Sequence, residues 1–191
     1  MSMFPAVWEK GELGRSNNWT GKSPTLTKRA NTIPRKPCGW LAAGLRSLGI
    51  RQVVVASTHG FTVLQAAEIF RGSEIELIAI SISTAFHKEG WTMSSEERSK
   101  AEQAGVRVLT NLHGLADGVT EGLYGEHTPG SVVANTLRMF SQGMKVAVEV
   151  SIMALEAGLI PAGREIIACG GTDEGCDTAV VVQPAHARKI N

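Results

Sequence analysis

A buried β-branched run that passes through a four-residue polar turn into helical periodicity is the feature that most constrains this chain. Val53-Val54-Val55-Ala56 lacks polar alternation, the pattern of a strand covered on both faces. Ser57-Thr58-His59-Gly60 follows. After Phe61, Thr62 stands where a helix N-cap would be, and Val63, Ala66, Ala67 and Phe70 recur at helical spacing. Strand, turn and helix N-terminus make a natural anion cradle, because unbonded backbone N–H groups and the positive end of the helix dipole converge there. Ser57, Thr58 and Thr62 add hydroxyl donors, and Gly60 supplies the permissive dihedrals and close backbone approach of a tight turn. Turns of this kind occur in every α/β domain, however, and Ser or Thr caps helices without binding anything.

The remaining elements alternate in the same way. Pro37 suits the first turn of a helix on which Leu41, Leu45 and Leu48 share a face, and Gly49 ends it ahead of a first strand at Gln52–Ala56. A second buried strand spans Glu76–Ile82. Ser94-Ser95-Glu96-Glu97 reads as a capping box for a polar helix to about Ala104, Gly105 stops it, and a third strand covers 106–110. A long loop of Gly, His and Asp fills 111–130. The helical region beyond it reads as two parts broken at Gly143, with Val133, Leu137 and Phe140 on one face and Val146, Val150, Met153, Ala154 and Ala157 on the next. Glu149, inside the second apolar run, reads as part of a partly exposed helix face, or alternatively as a paired acid at a site. Strands at 165–169 and 177–183 close the chain around a Gly-rich loop. The class is α/β: about five strands, mostly parallel and covered on both faces. The last two strands are too close in sequence for a crossover helix, so the final strand is antiparallel.

Charge divides the chain. Residues 1–37 carry Lys10, Arg15, Lys22, Lys28, Arg29, Arg35 and Lys36 against Glu9 and Glu12, in a chain whose formal total is +1. These cations are scattered among Gly, Ser, Asn, Thr and Pro, which reads as a solvated, poorly ordered leader over 1–30 rather than a nucleic-acid arm, with the globular domain over 31–191. No apolar run of about 18 residues suits a membrane span, and the N-terminus lacks the basic-then-apolar order of a secretory signal. Cys38, Cys169 and Cys176 are odd in number and show no C-x-x-C spacing, so neither a zinc site nor a disulfide framework is expected. Reduced thiols in a cytoplasm are the simple reading.

Several segments carry a family resemblance. Asn31-Thr32, VVVAST with Gly60 and Thr62, LRMFSQGMKVAVEVSIMALEAGLIP (137–161) and IIACGGTDEGCDTAVVVQPAHA (166–187) occur in order over most of 31–187. In these the chain resembles stand-alone proteins related to the C-terminal α/β domain of pyruvate kinase. The resemblance implies a three-layer αβα sandwich. It also implies that the turn Ser57–Thr62 grips a phosphate, with the loop 170–177 beside it. The family's catalytic residues lie in a barrel domain that takes about 250 residues, so pyruvate kinase activity is not expected. Departures are visible: Phe61 stands where the family carries an acidic or polar residue, Glu174 replaces a basic residue, and Cys176 replaces Ala. Asp173, Glu174 and Asp177 would together repel a phosphate.

The expected function is binding of a phosphorylated small molecule at the carboxyl edge of the sheet. Ser57, Thr58, His59, Gly60 and Thr62 would hold the phosphate, with Gly170, Gly171 and Thr172 beside it. A sugar phosphate or a mononucleotide such as flavin mononucleotide could fit, and no metal is called for. Two other classes remain open. One is a small enzyme acting on a phosphorylated metabolite, with His59 or His113 as acid–base group. The other is a structural or protein-interaction module in which the basic leader and exposed sheet edges make the contacts, a homo-oligomer among them.

Overall fold

The computed structural model describes residues 49–189 save 117, 126, 173 and 174. The basic leader and the helix expected over 37–48 lie outside the described residues. Five strands, β1 (Gln52–Ala56), β2 (Glu76–Ile82), β3 (Arg107–Asn111), β4 (Ile166–Gly170) and β5 (Thr178–Val182), form an open sheet in the order β3-β2-β1-β4-β5. The first four run parallel, and β5 pairs antiparallel with β4. The sheet is open and not a closed barrel.

Among the described residues five α-helices accompany it: α1 (Phe61–Ile69), α2 (Ser95–Gln103), α3 (Val119–Tyr124), α4 (Pro129–Arg138) and α5 (Gln142–Glu156). Alternation along the strands splits the core into two layers. Val53, Val55, Leu77, Ala79, Ile167 and Cys169 meet Val63 and Ala66 of α1 and Ala101 of α2. Val54, Ile78, Ile80, Ile166 and Ala168 meet Ala147, Val150, Met153 and Ala154 of α5 on the opposite face. Each such aliphatic side chain removed from water contributes about 1.5–3 kcal/mol, which is why β1, flanked by β2 and β4, is the anchor of the sheet. Among the described residues no helix is long and apolar enough to cross a membrane.

Two local expectations differ from the structure. The segment 111–130 is not all loop: α3 forms within it, and α4 starts at Pro129, where Thr128 accepts from the Ser131 N–H as N-cap. The helical region breaks at Met139–Ser141 and not at Gly143. Ser141 caps α5 by accepting from the Met144 N–H at 2.9 Å, which places Gly143 in the first turn of the helix. Gly143 serves close packing: a Cβ there would collide with Thr178 and Asp177 at the start of β5.

Candidate functional site

The strand order changes direction at β1, with β2 and β3 to one side and β4 and β5 to the other. Open parallel sheets leave a crevice at such a point, beyond the carboxyl ends of the strands. Ser57 extends β1 by one residue. Its N–H donates to the Ile80 carbonyl at 3.0 Å, which seats it opposite Ser81 of β2. Ser81 in turn stands opposite Thr110 of β3. By strand alternation these three continue the row of Val55, Ala79 and Val108 on the face under α1 and α2, so that an apolar row ends in hydroxyls. Arg98 of α2 reaches the outer end of that row, with Nη1 3.5 Å from Thr110 Oγ1 and Nη2 donating to the Val108 carbonyl at 2.7 Å.

Gly60, at φ 79°, is the N-cap of α1. Thr62 is therefore the second residue of the helix and not its cap. The chain turns where only glycine holds a left-handed conformation cheaply, and the capping hydroxyl comes from below. Ser57 is only 4 % exposed, and its Oγ accepts from the Val63 N–H at 3.3 Å. Its own O–H is left to donate. Among the described residues nothing accepts from the Phe61 and Thr62 N–H groups, and the Thr58 and Thr62 hydroxyls have no partner. Ser81 Oγ, in a residue 1 % exposed, also lacks a hydrogen-bond partner.

His59 lies at the rim, with Nδ1 3.4 Å from Glu97 Oε1. Glu97 belongs to the capping box of α2, where its Oε2 accepts from the Ser94 N–H at 2.7 Å. That backbone bond, with help from His59, holds the Glu97 carboxyl below its ordinary value. The first turn of α2 leans on the cradle: a Cβ on Gly60 would stand 3.7 Å from the Glu97 carbonyl oxygen.

The loop after β4 is employed differently. Gly170 packs against the first turn of α5, and a Cβ on Gly171 would collide with the Gly175 carbonyl. Thr172 gives both its N–H (3.1 Å) and its hydroxyl (2.7 Å) to Asp177 Oδ2, while Thr178 Oγ1 donates to Oδ1 at 2.7 Å. The polar groups of this loop thus bond one another, and Asp177 is its internal hub. Residues 173 and 174 lie outside the described residues.

Two cavities lie elsewhere. One of about 530 Å³ is lined by Arg51, Gln52, Glu76, Arg164 and Glu165 at the amino ends of the strands. One of about 260 Å³, beyond β3, is lined by His113, Leu115, Thr120 and Glu121. Residues 57–62 line neither, so His59 and His113 serve different places. Glu149 is buried at 1 % exposure and ion-paired with Lys145, itself 3 % exposed; it is not on an exposed face. Its Oε1 accepts from the Leu115 N–H at 3.1 Å, tying the post-β3 loop to α5. No group of three or more His, Cys, Asp or Glu among the described residues is placed to hold a metal. Ser81 and the His59–Glu97 pairing escaped the reading of the sequence. The one available signal for Ser81 was a hydroxyl near the carboxyl end of an otherwise apolar strand, ELIAISI.

Comparison with known proteins gives the following. Solved structures of a pyruvate kinase from Cryptosporidium parvum are similar at 14 % identity and a TM-score of 0.41, over 80 % of this chain and 23 % of that one. The same organism's pyruvate kinase in complex with ADP matches at 15 % identity and a TM-score of 0.40, over 80 % and 24 %. The chain therefore spans about a quarter of the length of these enzymes. The family model described as the pyruvate kinase alpha/beta domain matches residues 42–182. With that match running across the five strands and five α-helices of the described residues, the chain belongs to the pyruvate kinase alpha/beta domain family.

Proposed function

We propose that this chain binds the phosphate of a phosphorylated small molecule at the β1–α1 turn. The observation that carries the reading is the buried Ser81 hydroxyl, unpartnered and opposite Ser57, beneath a helix start whose Phe61 and Thr62 N–H groups are unbonded. An anion seated over Gly60 would accept from these N–H groups and from the Thr58 and Thr62 hydroxyls, in the positive field of the α1 N-terminus. Gly170, Gly171 and Thr172 take no part in holding it, because packing and Asp177 already engage them.

The donor set fits a phosphate, including that of flavin mononucleotide. The rest of the ligand would lie in the crevice beyond the carboxyl ends of the strands. The exposed Phe61 ring, one residue past Gly60, offers a surface for a flavin or base. Self-association through the border strands and a cytoplasmic location belong to the same reading.

Thermal unfolding against inorganic phosphate, sugar phosphates and flavin mononucleotide tests it. A ligand at a hundred times its Kd adds about 2.7 kcal/mol, and the stabilisation should vanish in Ser57→Ala/Thr62→Ala. Unchanged affinity in that double variant would put the site elsewhere. A second reading follows from the His59–Glu97 pair: a carboxylate that orients an imidazole at the rim of a phosphate turn suits acid–base chemistry on the bound metabolite. Turnover lost in His59→Gln with binding retained would favour it.

A further inference from the structure

Seven positions apart in sequence and without a C-x-x-C pattern, Cys169 and Cys176 are brought together by the hairpin. Cys169 lies in β4 opposite Ala179 of β5, buried in the layer beneath α1. The loop returns at Gly175, whose positive φ of 86° lets the chain fold back under itself, and Cys176 packs into the same layer. Cys176 packs against the cluster that holds Cys169, and its Sγ donates to the Thr178 carbonyl at 3.4 Å. Neither cysteine is in a disulfide. Cys169 is sealed in the core, whereas Cys176 is partly exposed.

We propose that Cys169 and Cys176 form a reversible dithiol–disulfide pair in which Cys176 is the thiol attacked by peroxide and Cys169 resolves it. The chemistry balances with hydrogen peroxide as oxidant. The Cys176 thiolate attacks one peroxide oxygen, the O–O bond breaks, and hydroxide leaves and takes up the thiol proton as water. The resulting sulfenic acid is attacked at sulfur by Cys169, a second water leaves, and the S–S bond forms. Two thiols and one peroxide give one disulfide and two waters, with two electrons passing from sulfur to oxygen.

Three features favour this division of labour. Access is the first, since peroxide can meet Cys176 but not Cys169. Thiolate character is the second: the hydrogen bond from Cys169 lowers the Cys176 pKa against the opposing effect of burial. The third is containment, because the resolving thiol lies in the core layer against which Cys176 packs, so disulfide formation competes with further oxidation. The bridge would tie Cys176 to the core layer that holds Val63, the α1 residue bonded to Ser57. It is independent of whether the turn binds an anion.

The test uses the full chain, treated with hydrogen peroxide and then blocked and digested. Both cysteines share one tryptic peptide, so digestion is by a protease that cuts at Asp173 or Glu174. The expected product is two fragments joined by a bond that dithiothreitol releases. It should form in Cys38→Ser and be absent in Cys176→Ser, and it should form at least about tenfold faster in native protein than in urea. A linkage through Cys38, a Cys176 sulfinic acid with Cys169 still reduced, an equal rate in urea, or two thiols indifferent to peroxide would each overturn the proposal.

Discussion

Gly170 of β4 lies so close to Gly143 of α5 that a Cβ on the former would stand 2.6 Å from the carbonyl oxygen of the latter. The Ala147 backbone nitrogen, at 2.8 Å from the same point, leaves no direction for escape. Backbone cannot yield as a flexible side chain can, so Gly170→Ala must push α5 off the sheet. Overpacking of this kind costs about 1–3 kcal/mol or more, and urea unfolding should show the midpoint of Gly170→Ala well below that of the parent. Gly175→Ala, at a positive φ of 86°, should cost less, about 1 kcal/mol.

The Lys145–Glu149 pair gives a prediction with a reversed sign between single and double variants. Both side chains are buried and one turn apart on α5. Removing one partner strands an unpaired charge in the buried interior, so Lys145→Met or Glu149→Met alone should destabilise by about 3–5 kcal/mol. The double Met variant should recover most of that loss, short of the roughly 1 kcal/mol for the Leu115 N–H left without its acceptor. A double-mutant cycle on urea midpoints measures the coupling. Additive single effects would mean that the two charges do not share a buried environment.

Acid should unfold the protein through its capped and paired carboxyls. For Glu76, partial burial raises the pKa, but the hydrogen bonds from Gln52 and Arg107 prevail and hold it below 4.5. For Glu97 the Ser94 N–H does the same. Each folded-state pKa is thus depressed, the unfolded chain binds more protons below the ordinary value, and stability falls with pH in that range. The melting temperature should be flat above about pH 5 and drop as pH falls through the folded values. Glu76→Gln should start lower and lose less on acidification, which a set of melts across the acid range would register.

Periodicity made the sheet legible because strand burial is written in local runs. VVVA, ELIAISI and the close spacing of the last two strands carry their own order, and the Ser94–Glu97 capping box lies within four consecutive residues. What was not legible depends on contacts distant in sequence. Gly143 looks like a helix breaker until Thr178 and Asp177 are seen against it. Glu149 looks exposed until Lys145 and the post-β3 loop cover it. At the cradle, Thr62 and Gly60 compete for the cap position in any local reading. The outcome turns on Ser57 reaching Val63 from the strand end, six residues away. Cys169 and Cys176 likewise share a core layer only through the pairing of β4 with β5.

Ser81 offers the sharpest separation of stability from binding. Its hydroxyl is buried without a partner, a state that costs about 1–3 kcal/mol relative to a bonded one. Alanine removes the unsatisfied group and leaves a space of only one oxygen atom, so Ser81→Ala should be neutral or should stabilise the ligand-free protein by up to about 1 kcal/mol. If the hydroxyl serves the anion site through its neighbour Ser57, the same variant should bind phosphate ligands more weakly, by about 1 kcal/mol or roughly fivefold in Kd. Ser57→Ala differs in direction. It deprives the Val63 N–H of its cap, so it should lower both stability and affinity, the former by about 1 kcal/mol. Melting temperatures with and without ligand, for both variants, separate the two. Should Ser81→Ala destabilise the ligand-free protein as much as Ser57→Ala does, the hydroxyl is a structural member of the β2 terminus and not a waiting contact.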